Sequence, residues 1–125
     1  MWLKFEGKSV NKTLHAALLI ILLLFIPLQA VTSMSHKSLY GDESYHIASG
    51  YSKLATFDYR LSPENGPLAA MIFALPLLFM DVHFPFDDKS WTIKNMDRLD
   101  YIFLFEYNDK PYDLVFACRL MAILM

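Results

Sequence analysis

One uncharged stretch limits what this chain can fold into more than any other feature. No residue from Thr13 to His36 carries a formal charge, and its centre, from Ala16 to Val31, reads AALLIILLLFIPLQAV. At 1.5 Å of rise per residue, a helix over this stretch is roughly 36 Å long, enough to cross a hydrocarbon core of about 30 Å. We therefore predict a transmembrane helix over residues 13–35, in which Pro27 is tolerated near the far end.

The charges around this helix predict its orientation. One acid, Glu6, stands against three lysines before the helix, which are Lys4, Lys8 and Lys12. The positive-inside rule places residues 1–12 in the cytoplasm and the chain from Ser33 onward outside. A cleaved signal peptide with a site near Ala30 is the alternative, although its apolar core usually has only about 7–15 residues. Both interpretations export the middle of the chain, and we favour the retained helix.

The composition supports a membrane protein and argues against several soluble classes. Hydrophobic residues make up 55% of the chain, and they stand in runs rather than at regular intervals. The net charge of -2 predicts no broad basic surface, so a nucleic-acid partner is not expected. Cys118 is the single cysteine, which excludes an intrachain disulfide and a cysteine-based metal cluster.

Two further helices are predicted between the uncharged stretch and Asp81. Residues 43–57 carry apolar side chains at helical spacing, and Gly41 with Asp42 supplies a turn and an N-cap; the apolar positions are Ile47, Tyr51, Leu54 and Ala55. After a turn cluster, residues 67–80 begin with Pro67, a favoured first-turn residue. A helix over 67–80 reaches only roughly 21 Å, so we expect it to be half-embedded or packed on other helices.

The rest of the chain predicts a polar loop and the start of a second membrane segment. Between Asp81 and Asp113 there are eight acids and four bases, which indicates a surface loop containing Trp91, then a short amphipathic segment around 99–107. From Leu114 the sequence turns apolar again and is still apolar at Met125. We expect residues 36–113 to form the first extracytoplasmic loop and residues 114–125 to begin a second transmembrane helix, in a multi-pass protein of the cell membrane that continues beyond this piece.

Adjacent carboxylates at Asp42 and Glu43 are the main candidates for chemistry. A carboxylate near a helix amino terminus is stabilised in its ionised form by the helix dipole and can accept a proton as a general base. The alternative interpretation is that Asp42 only caps the helix and Glu43 is a solvated acid. Glu43 and His46 also have the spacing of a metal-binding E-x-x-H pair. We predict no metal site, because one such pair is weak evidence, and no cofactor is indicated.

Taken in order, these segments resemble a known family. A membrane helix is followed by DESYHIASGY, then by FDYRLSPENGPLAAMIFALPLL, an acidic loop with a tryptophan, and ACRLMAIL. From about Leu14 to the end, this order resembles the amino-terminal part of polytopic membrane glycosyltransferases of the GT-C fold. The similar members are protein mannosyltransferases that use dolichyl-phosphate mannose and lipid A aminoarabinose transferases. The resemblance implies an all-α membrane protein with juxtamembrane helices in its first outer loop.

The resemblance also implies roles for individual residues. The first acid of the loop, Asp42, corresponds to the family's catalytic base, and Glu43 is the adjacent supporting acid. Arg119 matches an arginine at the start of the next membrane helix. Candidates for substrate binding are Tyr45, His46, Asn65 and Arg119. Where family members carry Lys-Pro-Pro-Leu or Asn-Pro-Pro-Leu, this chain has Asn65-Gly66-Pro67-Leu68, so no lysine stands there to contact a donor phosphate.

The implied reaction moves a sugar from a polyprenyl-phosphate donor to a hydroxyl group of a protein, lipid or glycan acceptor. Asp42 would take the acceptor's proton while the lipid phosphate leaves the anomeric carbon, and a piece without the remaining helices is expected to be inactive. The competing hypothesis is a non-catalytic, membrane-anchored protein that binds a partner or assists assembly. Replacement of Asp42 separates the two hypotheses, because a binding protein does not depend on a general base.

Overall fold

The computed structural model describes residues 12–39 and 41–125, and within them the predicted all-α architecture is confirmed. The prediction of orientation from Lys4, Glu6 and Lys8 lies outside these residues. No strand occurs in the described part of the chain. Its helices are α1 (Lys12–Met34), α2 (Gly41–Thr56), α3 (Pro67–Ala74), a 3₁₀ helix (Leu75–Phe79), α4 (Lys89–Ile93), α5 (Met96–Phe105) and α6 (Pro111–Leu124).

Helix α1 coincides with the uncharged stretch and stands apart from the other helices. Among the described residues it is the one helix long and apolar enough to cross a membrane, and its most apolar part is entirely unburied. Only Met34, at its last turn, is buried against the rest of the protein. This pattern is compatible with membrane association. A signal sequence near the amino terminus would meet the same criteria of length and hydropathy.

Helix α2 packs most closely against α3, and Gly50 is the reason the two helices can approach. A Cβ atom at Gly50 would collide with the carbonyl oxygen of Ala70 and would lie 2.9 Å from the Cβ of Ala74. Helix α3 begins at Pro67 as predicted, but the helical conformation tightens to a 3₁₀ helix from Leu75 to Phe79. The predicted apolar stripe on α2 is wrong at Ala55, which is exposed.

An aromatic cluster lies where the sequence predicts a surface loop. Trp91 belongs to the short helix α4, which begins because the Asp88 carboxylate accepts a hydrogen bond from the backbone of Ser90 at 2.7 Å. The rings of Phe84 and Trp91 meet edge to face at 5.6 Å. The rings of Tyr51 and Phe84 stack with their centroids 5.8 Å apart. Phe84 is buried in the core, and Tyr51 and Trp91 are partly buried against it. These rings stabilise the core, since aromatic pairs add to the hydrophobic gain of burial.

Helix α6 closes the fold against α3 and the 3₁₀ helix. Pro111 occupies its first turn, three residues before the predicted start at Leu114. Leu114, Val115 and Cys118 are buried on its inner face, while Leu124 on the opposite face is 80% exposed. This helix carries Arg119 to the end of α1, and that meeting point forms the candidate site. That α6 begins a second membrane segment stays a prediction.

Candidate functional site

A groove of about 930 Å³ lies where the end of α1, the start of α2, α3 and the last turns of α6 meet. We call it the junction groove. Its polar lining is His36, Lys37, Ser38, Glu43, His46 and Arg119, and its apolar lining is Met34, Ala69, Ala70, Phe73 and Met125. This mixture of polar groups and apolar side chains suits an amphiphilic ligand, since small-molecule sites combine apolar lining with a few placed polar groups.

Arg119 and Glu43 form a two-pronged ion pair in this groove. The Nε of Arg119 donates to Oε1 of Glu43 at 2.6 Å, and Nη2 donates to Oε2 at 2.7 Å. Only 15% of the Arg119 side chain and 16% of the Glu43 side chain are exposed. The guanidinium fork matches the carboxylate geometry, which makes this the strong form of a charged hydrogen bond. The interpretation of Glu43 as a solvated acid is therefore wrong.

The remaining donors of Arg119 bind backbone carbonyls between α1 and α2. Nη1 donates to the oxygens of Met34 and Lys37 at 2.9 and 3.0 Å, and Nη2 donates to the oxygen of Ser38 at 3.1 Å. An arginine side chain has five N–H donors, and all five are occupied. We call Arg119, Glu43 and these three carbonyls the arginine clamp. It joins the end of α1, the start of α2 and α6.

The sequence-predicted site residues divide into three positions. Glu43, His46 and Arg119 line the junction groove together. Asp42 precedes Glu43 in the first turn of α2 and is exposed to solvent. Tyr45 and Asn65 lie outside the groove: Asn65 belongs to the loop between α2 and α3, and Tyr45 contacts that loop.

That loop uses Tyr45 and Asn65 for its own hydrogen bonds. The hydroxyl of Tyr45 donates to Oε1 of Glu64 at 3.1 Å, and the amide of Asn65 donates to the hydroxyl of Ser62 at 2.8 Å. Beneath the loop, Lys53 is 1% exposed, and its ammonium donates to the carbonyl of Ser62 at 3.4 Å. Burial lowers the pKa of Lys53, and the nearby Glu64 carboxylate opposes that shift. This polar cluster holds the loop over α2 and is separate from the junction groove.

A buried carboxyl group beneath the start of α2 is a further polar feature that the sequence prediction missed. Oδ2 of Asp100 lies 2.6 Å from the hydroxyl oxygen of Ser44, which is also 3.0 Å from the carbonyl of Gly41. Asp100 is 9% exposed, and burial raises its pKa. The sequence does indicate that Asp100 is buried, because this residue falls on the apolar face of α5, one turn after Met96 and one turn before Phe103.

Replacing Asp100 with asparagine is expected to stabilise the protein at neutral pH. The folded state holds the Asp100 proton more tightly than the unfolded chain, so the parent loses stability as the pH rises from the ordinary value of 3.8 through the raised pKa. Asparagine keeps a polar partner for Ser44 without a buried charge. The advantage of Asp100→Asn in thermal unfolding should therefore grow as the pH rises above 3.8 and level off once the pH has passed the raised pKa of Asp100. The exposed Asp109→Asn variant is the control, and a pH-independent difference would contradict this account.

The groove residues do not by themselves form a metal centre. No group of three histidine, cysteine, aspartate or glutamate side chains in residues 12–39 and 41–125 is arranged to hold a metal ion. Glu43 and His46 both line the groove, but both carboxylate oxygens of Glu43 accept hydrogen bonds from Arg119.

Comparisons of the chain with protein-family models, with curated proteins and with solved structures found no match.

Proposed function

We propose that this chain forms the first membrane helix and first outer loop of a glycosyltransferase that transfers a sugar from a polyprenyl-phosphate donor to a hydroxyl acceptor. The observation that carries the proposal is that two adjacent acids, Asp42 and Glu43, lie in the first turn of α2, shortly after the apolar helix α1, and differ in their environment. Glu43 is locked by the arginine clamp, whereas the neighbouring Asp42 is exposed. In this proposal the protein is a multi-pass protein of the cell membrane, with residues 36–113 outside the cytoplasm.

Asp42 is the general base in this mechanism. Its side chain lies in the first turn of α2 and is exposed, so an acceptor hydroxyl can reach the carboxylate. Asp42 accepts the proton of the acceptor hydroxyl as that oxygen bonds to the anomeric carbon. The bond from this carbon to the phosphate oxygen breaks, the lipid phosphate leaves with the electron pair, and the single displacement inverts the anomeric configuration.

Arg119 has a positioning role in this mechanism, in place of the substrate contact predicted from the sequence. All five of its N–H donors are occupied inside the clamp. The clamp fixes Glu43 and thereby the first turn of α2, which presents Asp42 to the acceptor. His46, one turn further along α2, lines the groove and is the proposed acceptor contact.

The Asp42→Asn variant is expected to lose transfer by at least about a hundredfold, the usual contribution of a positioned general base. The measurement uses the complete reading frame that contains this chain, expressed in membranes and supplied with radiolabelled polyprenyl-phosphate sugars. Asp109→Asn, another exposed acid of the same loop, is the matched control and should retain activity. Equal membrane levels of the variants exclude a folding defect as the cause of lost transfer.

Two outcomes would contradict the proposal in different ways. Equal transfer by the parent and by Asp42→Asn would remove Asp42 from the mechanism while leaving the enzyme class. No transfer from any polyprenyl-phosphate sugar would favour the alternative, a membrane-anchored protein that binds a partner or assists assembly.

A further inference from the structure

We propose that Lys37 is the phosphate contact of the junction groove and that the groove binds a phosphate ester with a long apolar tail. The identity of the tail as an isoprenoid rests on the proposed function. The phosphate and the apolar tail are inferred from the groove itself, which contains a cation and apolar lining residues. Neither Arg119 nor the Asn65-Gly66-Pro67-Leu68 segment supplies that cation.

The groove has one uncompensated positive charge. Its formally charged lining residues are Lys37, Glu43 and Arg119, and the last two cancel in the clamp. Among the described residues no carboxylate lies within ion-pair distance of the Lys37 ammonium, since the ion pairs found there involve Arg60 with Asp58 and Arg119 with Glu43. His36 and His46 also line the groove, and an imidazole can donate a hydrogen bond. This arrangement attracts an anion, and a lysine ammonium is a common phosphate ligand.

The arginine clamp fixes Lys37 without using its side chain. Nη1 of Arg119 binds the carbonyl oxygen of Lys37 at 3.0 Å, so the backbone is held while the ammonium remains available. Lys37 follows the last residue of α1, Met34, by three positions. If α1 crosses the bilayer, its end lies at the hydrocarbon boundary, and Lys37 lies at the depth of lipid phosphate groups. A side chain on a fixed backbone loses less entropy when it binds a ligand.

The apolar residues that line the groove suit the tail. Ala69, Ala70 and Phe73 of α3 line it, together with Met34 of α1. Helix α3 has no charged residue along its whole length, PLAAMIFA. The groove volume of about 930 Å³ holds a ligand of several isoprene units rather than an inorganic ion alone. A phosphate at Lys37 with its tail along α3 therefore uses both the polar and the apolar lining.

The test measures binding of radiolabelled farnesyl phosphate to the chain in phosphatidylcholine nanodiscs, with empty nanodiscs subtracted. Lys37→Gln is expected to weaken binding about tenfold, the effect of losing one charge-assisted hydrogen bond. Lys89→Gln, an exposed lysine outside the groove, is the matched control and should bind like the parent. Ala69→Trp fills the apolar wall from an exposed position and should abolish binding without unfolding the protein.

Competition experiments identify the ligand chemistry. Unlabelled farnesyl phosphate should displace the label, whereas farnesol and inorganic phosphate should do so only at far higher concentration. Displacement by phosphatidylglycerol as effective as by farnesyl phosphate would overturn the isoprenoid assignment and make the groove a site for lipid headgroups. Binding by Lys37→Gln equal to the parent would overturn the inference.

The failure of this inference is distinguishable from the failure of the proposed function. Transfer that depends on Asp42, together with unchanged binding in Lys37→Gln, would overturn the role of Lys37 alone. Farnesyl phosphate binding that depends on Lys37, in a complete protein that transfers no sugar, would support the inference and contradict the enzyme assignment.

Discussion

Replacing Arg119 with methionine is expected to lower the free energy of unfolding by about 3 kcal/mol, the cost of removing one partner from a largely buried ion pair. Methionine fills similar space but leaves the Glu43 carboxylate, whose side chain is 16% exposed, without its counterion. It also leaves the carbonyls of Met34, Lys37 and Ser38 without their common donor. Thermal unfolding in detergent micelles, followed by loss of helical circular dichroism, measures the effect.

Two variants test whether the geometry of the clamp matters beyond its charge. Arg119→Lys keeps the positive charge but has three donors on a flexible stem, so it should recover less than half of the lost stability. Arg98→Met removes an exposed arginine and should have little effect. In a double-mutant cycle, adding Glu43→Gln to Arg119→Met should cost far less than Glu43→Gln alone, since the two residues act as a pair. Additive losses would contradict the existence of the clamp.

Replacing Gly50 with alanine is expected to have the second large effect, destabilising the protein by about 3 kcal/mol or more. The added Cβ would collide with the carbonyl group of Ala70 and crowd the side chain of Ala74. Because the main obstacle is backbone, no rotamer change relieves it, and α3 must move away from α2. The intrinsic preference of alanine for helices, about 1 kcal/mol, offsets only part of this cost.

Gly66→Ala is the matched control for Gly50→Ala. A Cβ at Gly66 meets no atom within 4 Å, and its φ of -53° is accessible to alanine. Its unfolding temperature should therefore stay close to that of the parent. Equal unfolding temperatures of Gly50→Ala and Gly66→Ala would show that α2 and α3 do not approach closely at Gly50.

The helices that local patterns specify were predictable from the sequence. The uncharged stretch predicts a helix over 13–35, and α1 occupies Lys12–Met34. Pro67 begins α3 because its fixed φ suits a first turn. The short helix α4 was missed because its five residues are too few to show a helical periodicity. The partial burial of Trp91 was missed because its contacts with Phe84 and Phe86 form only in the tertiary structure.

The candidate site was only partly predictable. The sequence marks Glu43, His46 and Arg119, and the structure brings these three to one groove. No local pattern predicts that Arg119 binds Glu43 across 76 positions, because such pairing depends on how α6 packs. The burial of Lys53 was also unpredictable, since it requires the loop after α2 to fold over the ammonium.

The arginine clamp has a consequence for biosynthesis. Its most distant pair, Met34 and Arg119, is separated by 85 positions, so the contact cannot form until the ribosome has released α6. At roughly 5–20 residues per second, α1 is synthesised several seconds before its partner on α6. During that interval Glu43 has no guanidinium to bind, and the part of α3 that packs on α6 is uncovered. A nascent chain stalled in this window therefore exposes apolar surface that the folded protein covers, and closure of the clamp ends that exposure.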